Sequence, residues 1–297
     1  MELRKLVKVV LLFMGIATVG EIYFLKAPEW TRGFQPFLLH GQGESSGPTA
    51  TFLDPPIPLI MVGSFDGGST RYSTVIQITS TSTASVPALL SGDFFSSDGT
   101  PFPATFRSNR TANFKGTLAL TTLSVGQTMV ITADQDNPGL IGWGRILVNT
   151  TSRFPAGSIL MSATIEARDT RTGEVIYRFP VDTTSASAGT NRFLLQRVGS
   201  AAGADVGFII VNNSPSMASI TATLRDVNGN TLMSRGIQLG PLSQIAYYVP
   251  TFFSLGPESG GPNYTNILFE SESSALVAIA IASGAGPYFT LPVTRYP

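Results

Sequence analysis

The chain holds few groups able to do chemistry, and one set matches a known arrangement. Gly43-Glu44-Ser45-Ser46-Gly47 has the G-x-S-x-G spacing that holds a nucleophilic serine on a sharp strand-to-helix turn in some hydrolases. Its surroundings are rich in proline and glycine and supply neither strand nor helix. The sole histidine, His40, stands just before the serine, whereas the hydrolase order places the base far downstream. This match therefore reads as a linker. A lone histidine cannot make a multi-histidine metal site. The absence of cysteine removes a thiolate nucleophile, a Cys-based zinc site and a disulfide framework.

Paired carboxylates come next, because glycosidases set two acids across a scissile bond. Glu166 with Glu174, and Glu270 with Glu272, offer such pairs, but strand alternation turns polar residues outward whether or not they react. Asp134-Gln135-Asp136-Asn137-Pro138-Gly139 gathers oxygens in one loop, as calcium sites do. It departs from the EF-hand at Pro138 and Arg145, which stand at the fifth and twelfth positions, so it reads as an Asx-and-proline turn. Aromatic rings with a polar edge suit half-wet surfaces. Trp143, Tyr247, Tyr248 and Tyr264, with Tyr288, are the candidates for a sugar or partner platform, and strand alternation turns one of Tyr247 and Tyr248 outward. No group calls for a cofactor or a metal, and the chain reads as a non-enzyme.

The elements that would position these residues follow from composition and pattern. A chain of 297 residues suggests about two domains. Lys and Arg balance Asp and Glu at 19 each, so no field attracts nucleic acid. Serine, threonine, glycine and proline dominate the polar residues, which favours strands and turns. Arg4, Lys5 and Lys8 precede an apolar run from Val9 to Gly20, the order of an export signal. Residues 1–25 are either a cleaved signal peptide or a retained anchor, with membrane contact only through residues 6–25 if they stay. In both readings the body ends outside the cytoplasm, extracellular or at the cell surface. Residues 26–60 form a Pro/Gly-rich arm, apolar at Phe34, Phe37, Leu38, Leu39, Phe52, Leu53, Ile57, Leu59 and Ile60 and too proline-broken for a central strand. Asn109, Asn149, Asn212 and Asn263 begin glycosylation sequons.

Beyond Met61 short alternating stretches follow one another, each closed by Gly, Asn, Asp or Pro. Ile159, Met161, Ala163, Ile165 and Ala167 line one face of a strand that turns through Asp169–Gly173 into Val175, Tyr177 and Phe179. Ile220, Ala222 and Leu224 do the same before Asn228-Gly229, a dipeptide suited to the positive backbone angles of a tight hairpin. Leu276–Ala282 is apolar on both faces, as a central strand is. Thr74–Thr79 and the Asp98-Gly99 turn match Gly207–Asn212 and Asn228-Gly229 in order, and both halves close on Pro-Val. The expectation is all-β: two tandem antiparallel β-sandwich domains, immunoglobulin-like, at residues 61–185 and 191–297.

Phe65-Asp66-Gly67-Gly68, Thr74-Val75-Ile76-Gln77-Ile78, the Asp-Gly turn, Gly142-Trp143 and the closing Pro-Val resemble a group of uncharacterised bacterial secreted proteins built from tandem β-sandwich repeats. The resemblance covers residues 60–297 and implies fold and export, with no reaction to carry over. The second half lacks a clear counterpart of Gly142-Trp143. The functional expectation is an extracytoplasmic structural or adhesive protein whose apolar arm docks along a sheet edge, either on its own first domain or on a neighbouring copy, the second case linking copies into a filament. Its partners would be copies of itself, or extracellular matrix or glycan, and not nucleic acid. The alternative is an extracellular glycan-binding module or weak glycosidase.

Overall fold

The computed structural model describes residues 51–53, 56–65, 68–81, 87–136, 138–150, 159–181, 192–196, 205–255, 264–272, 276–283, 289–291 and 293–295. The export segment, His40, the G-x-S-x-G stretch, arm residues Phe34 to Leu39, Tyr288 and Asn263 lie outside them. The described residues are almost entirely strand, joined in antiparallel ladders, with one helix of a single turn, α1 (Val249–Phe252). The all-β expectation holds. No helix among the described residues is long and apolar enough to cross a membrane.

The first half contains β1 (Thr51–Leu53), β2 (Pro56–Ser64), β3 (Thr70–Ser80), β4 (Ala88–Ser96), β5 (Thr105–Ser108), β6 (Thr117–Leu123), β7 (Thr128–Asp134), β8 (Leu140–Thr150), β9 (Ile159–Asp169) and β10 (Val175–Val181). One group of ladders runs β6-β4-β8 with β2 beside β8. The other runs β10-β9-β3-β7-β5. The groups face each other: the Phe94 ring from β4 lies 4.3 Å from the Phe106 ring of β5. Both bury the apolar sides of alternating strands, such as Ile76 and Ile78 on β3 and Ile146 and Val148 on β8.

Strand β2 joins the two groups. Its residues Pro56–Val62 pair with β8, and then Gly63 and Ser64 pair with β3. Gly63 makes the transfer at φ +79°, where a Cβ would lie 2.5 Å from the Pro138 carbonyl oxygen. The sequence reading expected an extended arm up to residue 60, too broken by proline for a central strand. The structure instead puts Ile57, Leu59 and Ile60 in this strand, fully or almost fully buried. Pro56 and Pro58 are tolerated because their part of β2 is laddered on one side only, and the register slips between Ile57 and Ile60. Of the arm, Phe52 and Leu53 also fall on a strand, β1, which pairs with β8.

The second half contains β11 (Arg192–Gln196), β12 (Asp205–Asn212), β13 (Ala218–Asp226), β14 (Thr231–Leu239), β15 (Gln244–Tyr248), α1, β16 (Tyr264–Ser271), β17 (Leu276–Ser283), β18 (Phe289–Leu291) and β19 (Val293–Arg295). They form a five-stranded sheet, β14-β13-β16-β11-β19, and a four-stranded sheet, β15-β12-β17-β18. One core joins the two. Phe208 of β12 meets Phe269 of β16 at 4.9 Å and Phe252 of α1 at 5.2 Å, edge to face. Leu276 to Ala280 are all buried on β17, as a strand apolar on both faces requires.

Strand pairing recurs across the halves. β4 lies between β6 and β8 as β13 lies between β14 and β16, and β3 lies between β7 and β9 as β12 lies between β15 and β17. The hairpin after β4 bonds Ser96 N–H to Thr100 O and Gly99 N–H to Ser96 O. The hairpin after β13 bonds Asp226 N–H to Asn230 O and Gly229 N–H to Asp226 O. Only the glycines, Gly99 and Gly229, have positive φ. The sequence expected positive angles through Asn228-Gly229. The extra residue in the loop moves that need onto the glycine alone.

Candidate functional site

Three places gather polar or strained groups: a joint between the halves, a charged cleft on the first half, and the neighbourhood of the predicted aromatics. The joint comes from β8. Gly142 and Gly144 flank Trp143 and point to the opposite face, where a Cβ on Gly142 would lie 2.1 Å from the Phe95 carbonyl oxygen and one on Gly144 2.5 Å from Phe94 Cδ1. Missing side chains there let Phe102 and Phe94 lie on the strand. The alternate face carries the Trp143 ring, 0% exposed, whose Nε1–H donates to Leu242 O at 2.8 Å.

Leu242 sits in the turn between β14 and β15 at φ +53°, a left-handed angle that costs a branched residue about 1–2 kcal/mol. Bonds on both sides hold it there: its N–H donates to Ser214 O and its carbonyl receives the indole. Beneath, buried Asn212 donates to the carbonyls of Ser216, Leu239 and Gly240 and accepts from Ser214 N–H, tying two loops together. The acceptor amide of its sequon is therefore buried and occupied by bonds within the fold. The hairpin Ser96–Thr100 rests on this turn. Gln244 N–H donates to Ser97 O at 2.9 Å, Gln244 Nε2 donates to Pro58 O of β2 at 2.6 Å, and a Cβ on Gly99 would lie 2.5 Å from Pro241 O. Arg145 completes the joint, bridging Asp93 and the Asn213 side-chain oxygen.

The charged cleft, about 180 Å³, lies on the outer face of β3, β7 and β9 and is lined by Arg71, Ser73, Asp134, Arg168, Asp169, Thr170 and Gly173. Register creates it: Arg71 stands opposite Arg168, and Ser73 and Arg178 both stand opposite Glu166. Arg71 grips Asp134 and Asp136 at 2.7 Å each. The loop considered for calcium thus has its two acids around a guanidinium, and Gln135 closes the turn onto Pro138 O. Arg168 and Arg178 both bind Glu166, at 2.6 Å. Burial opposes ionisation of Glu166, but the hydrogen bonds and charges of the two arginines outweigh it and hold its carboxyl below the usual range. Such a group is a poor general acid. Asp169 is likewise held low, by the backbone N–H groups of Thr172 and Arg171. Glu174 is exposed, and Glu270 pairs with Arg192 at 2.8 Å.

The aromatic candidates do not share a surface. Trp143 belongs to the joint, and Tyr264 is buried in the second-half core. Tyr247 packs on Phe208 and Phe252, while its neighbour Tyr248 stands opposite Gly207 and is half-buried. Sequence reasoning missed Leu242, Gln244 and Arg71, and read Asn212 only as the start of a sequon. The available signal was Gly-Trp-Gly on a strand, which marks a face stripped for close packing beside one large ring.

No family model matches the chain, and no curated protein does. Among solved structures it is similar to the lectin from Pleurotus ostreatus in complex with GalNAc, at 10% identity and a TM-score of 0.17, over 84% of this chain and 86% of that one. The apo form of the Pleurotus ostreatus lectin aligns over the same shares at 12% identity and a TM-score of 0.14. Likenesses of this size carry no argument about fold or ligand.

Proposed function

We propose that this chain is an exported structural or adhesive protein of the cell exterior, built from two tandem immunoglobulin-like sandwiches and assembling with copies of itself. The observation that supports self-assembly is the edge strand β14. Thr231 to Gly236 are exposed in sequence, with Leu232 and Met233 each 41% exposed. The one charged side chain in this stretch, Arg235, is turned onto Phe252, and a sheet edge with apolar side chains can accept a further strand from another chain. The Pro/Gly-rich segment before β1 is the partner of matching character, because an extended apolar peptide adds to such an edge through main-chain hydrogen bonds. The cleft supports this reading over the glycan-binding alternative. Its arginines are spent on Asp134, Asp136 and Glu166, its Asp169 accepts from backbone N–H groups, and the described aromatics that would stack on a sugar lie in separate places.

Sedimentation velocity of the full chain, against a chain lacking residues 26–49, tests the proposal. The deletion stops short of β1 and β2, so the described body is left whole. The full chain should sediment faster as its concentration rises, and the deletion should weaken that trend. A full chain that stays monomeric at every concentration would sink self-assembly.

A further inference from the structure

The internal joint has two parts, and the pairing repeat supplies a second set of both. One part is the hairpin Ser96–Thr100, whose counterpart in the second half is Asp226–Asn230. The other is the turn Gly240–Ser243 before β15, whose counterpart in the first half is Ser124–Gln127 before β7. The turns share part of their backbone bonding. Gln127 N–H donates to Ser124 O as Ser243 N–H does to Gly240 O, and Ser80 N–H donates to Gln127 O as Asn212 N–H does to Ser243 O, whereas Gly126 N–H donates to Ser80 O and Leu242 N–H to Ser214 O, two residues beyond the matching Asn212. Gly126 and Leu242 are both left-handed. Within one chain the first hairpin is seated on the second turn. The second hairpin and the first turn are left exposed.

What they expose is apolar. Val227 occupies the place of Ser97 and is 78% exposed, and Val125 occupies the place of Pro241 and is 44% exposed. The polar groups behind them are unsettled as well. Arg225 and Asn266 stand opposite each other in the ladder, at the positions that Phe95 and Trp143 hold in the joint. Among the described residues three buried side-chain polar atoms have no hydrogen-bond partner: Arg225 Nε and Asn266 Oδ1 at the hairpin end, and Ser80 Oγ under the first turn. All three lie at the two unused parts of the joint.

We propose that copies of this chain join head to tail, the Asp226–Asn230 hairpin of one seated on the Ser124–Gln127 turn of the next, in the manner of the internal joint. This inference rests on the self-assembly reading above and adds a contact independent of the N-terminal arm. The contact uses different surfaces on its two sides, so it does not close within a pair as a two-fold contact would; repeated, it builds a ring or a filament according to the rotation it imposes.

Cross-linking in the full chain decides it, and the absence of native cysteine makes the probe clean. Val227→Cys and Val125→Cys are both surface changes, and unchanged melting would show that each variant folds. With a short bis-maleimide, the double variant should give a ladder of covalent oligomers. Val227→Cys chains mixed with Val125→Cys chains should give covalent pairs and stop there, with at least about tenfold more pairing than either alone or than a Leu160→Cys control on another exposed strand. If the full chain assembles in sedimentation yet the mixed pair cross-links no better than that control, the head-to-tail contact is overturned and arm-driven assembly stands. If the full chain is monomeric and no ladder forms, both readings fall.

Discussion

The turns Ser124–Gln127 and Gly240–Ser243 follow similar backbone paths with different residues at the left-handed position. Gly126 adopts φ +75° with nothing near where a Cβ would be, so the angle there is a property of glycine alone. Leu242 adopts nearly the same angle against its steric preference and is held by the indole of Trp143 and by Ser214. The first turn is self-sufficient and the second is completed by the other half of the molecule. A local conformation that a sequence would forbid in isolation can thus be installed by a joint, and the strain marks where that joint acts.

The strongest way to break this contrast is to remove the indole. Trp143→Ala empties a fully buried site and strips Leu242 of its donor, so it should lower stability by about 3–5 kcal/mol in denaturant unfolding. Trp143→Phe separates the two effects, keeping much of the volume while leaving the carbonyl unpaired, at a cost of about 1–3 kcal/mol. A loss below about 0.5 kcal/mol for Trp143→Ala, the usual range for surface changes, would mean the joint is not a stabilising contact.

The face behind the ring comes next. Gly142→Ala places a methyl against the Phe95 carbonyl oxygen and the Phe102 ring, and overpacking of this kind costs about 1–3 kcal/mol. Gly236→Ala, where a Cβ meets nothing within 4 Å, is the control. Equal melting temperatures for the two would remove close packing as the reason for the Gly-Trp-Gly pattern.

A smaller pair of changes sharpens the comparison of the turns directly. Gly126→Ala should cost about 1 kcal/mol from backbone angle alone, since there is space for the methyl. Leu242→Gly relieves the strain that Leu242 stores, so its loss should be under about 1 kcal/mol despite the lost side chain, and a gain is the outcome most favourable to the strain reading. Chemical denaturation of both variants measures the difference, and a larger loss at Leu242 than at Gly126 would contradict it.

The smallest effect is acid sensitivity of the hairpins. The Asn230 side-chain amide, with the backbone N–H groups of Asn230, Asn228 and Gly229, holds the Asp226 carboxyl below its ordinary value. A depressed native value means stabilisation that is present above the unfolded value and lost as pH falls through the native one. Melting temperature should therefore decline in acid for the wild type, and the decline should be shallower in Asp226→Asn. Parallel curves would show that Asp226 contributes nothing to the folded state.

Much of this fold was legible in the residues. Alternation at Ile220, Ala222 and Leu224, and at Ala163, Ile165 and Ala167, located buried faces, and the glycine punctuation located hairpins. Pro56 and Pro58 weighed against a central strand and put Ile57 to Ile60 in an arm along a sheet edge; the structure makes that stretch part of a strand, and its one-sided pairing removes the cost of the prolines. The joint was less legible. Trp143 was visible as a large ring with a donor, but its acceptor lies in the other half, at a leucine whose backbone angle no propensity would suggest. Nor does spacing tell a charged residue that waits for a ligand from one already matched, which is why Arg71 went unnoticed between Asp134 and Asp136.

Strand β2 has one more consequence, for cooperativity. It belongs to both layers of the first half, and its Pro58 carbonyl is held by Gln244 of the second half. Neither layer can open, nor the halves separate, without disturbing that one strand. Backbone amides of β2 and β15 should accordingly exchange with solvent only when the whole body opens, at a common protection level, while those of the outlying strand β14 exchange far sooner. A molecule linked in this way behaves as a single foldon, so a pull on its N-terminal end would meet the resistance of both halves at once.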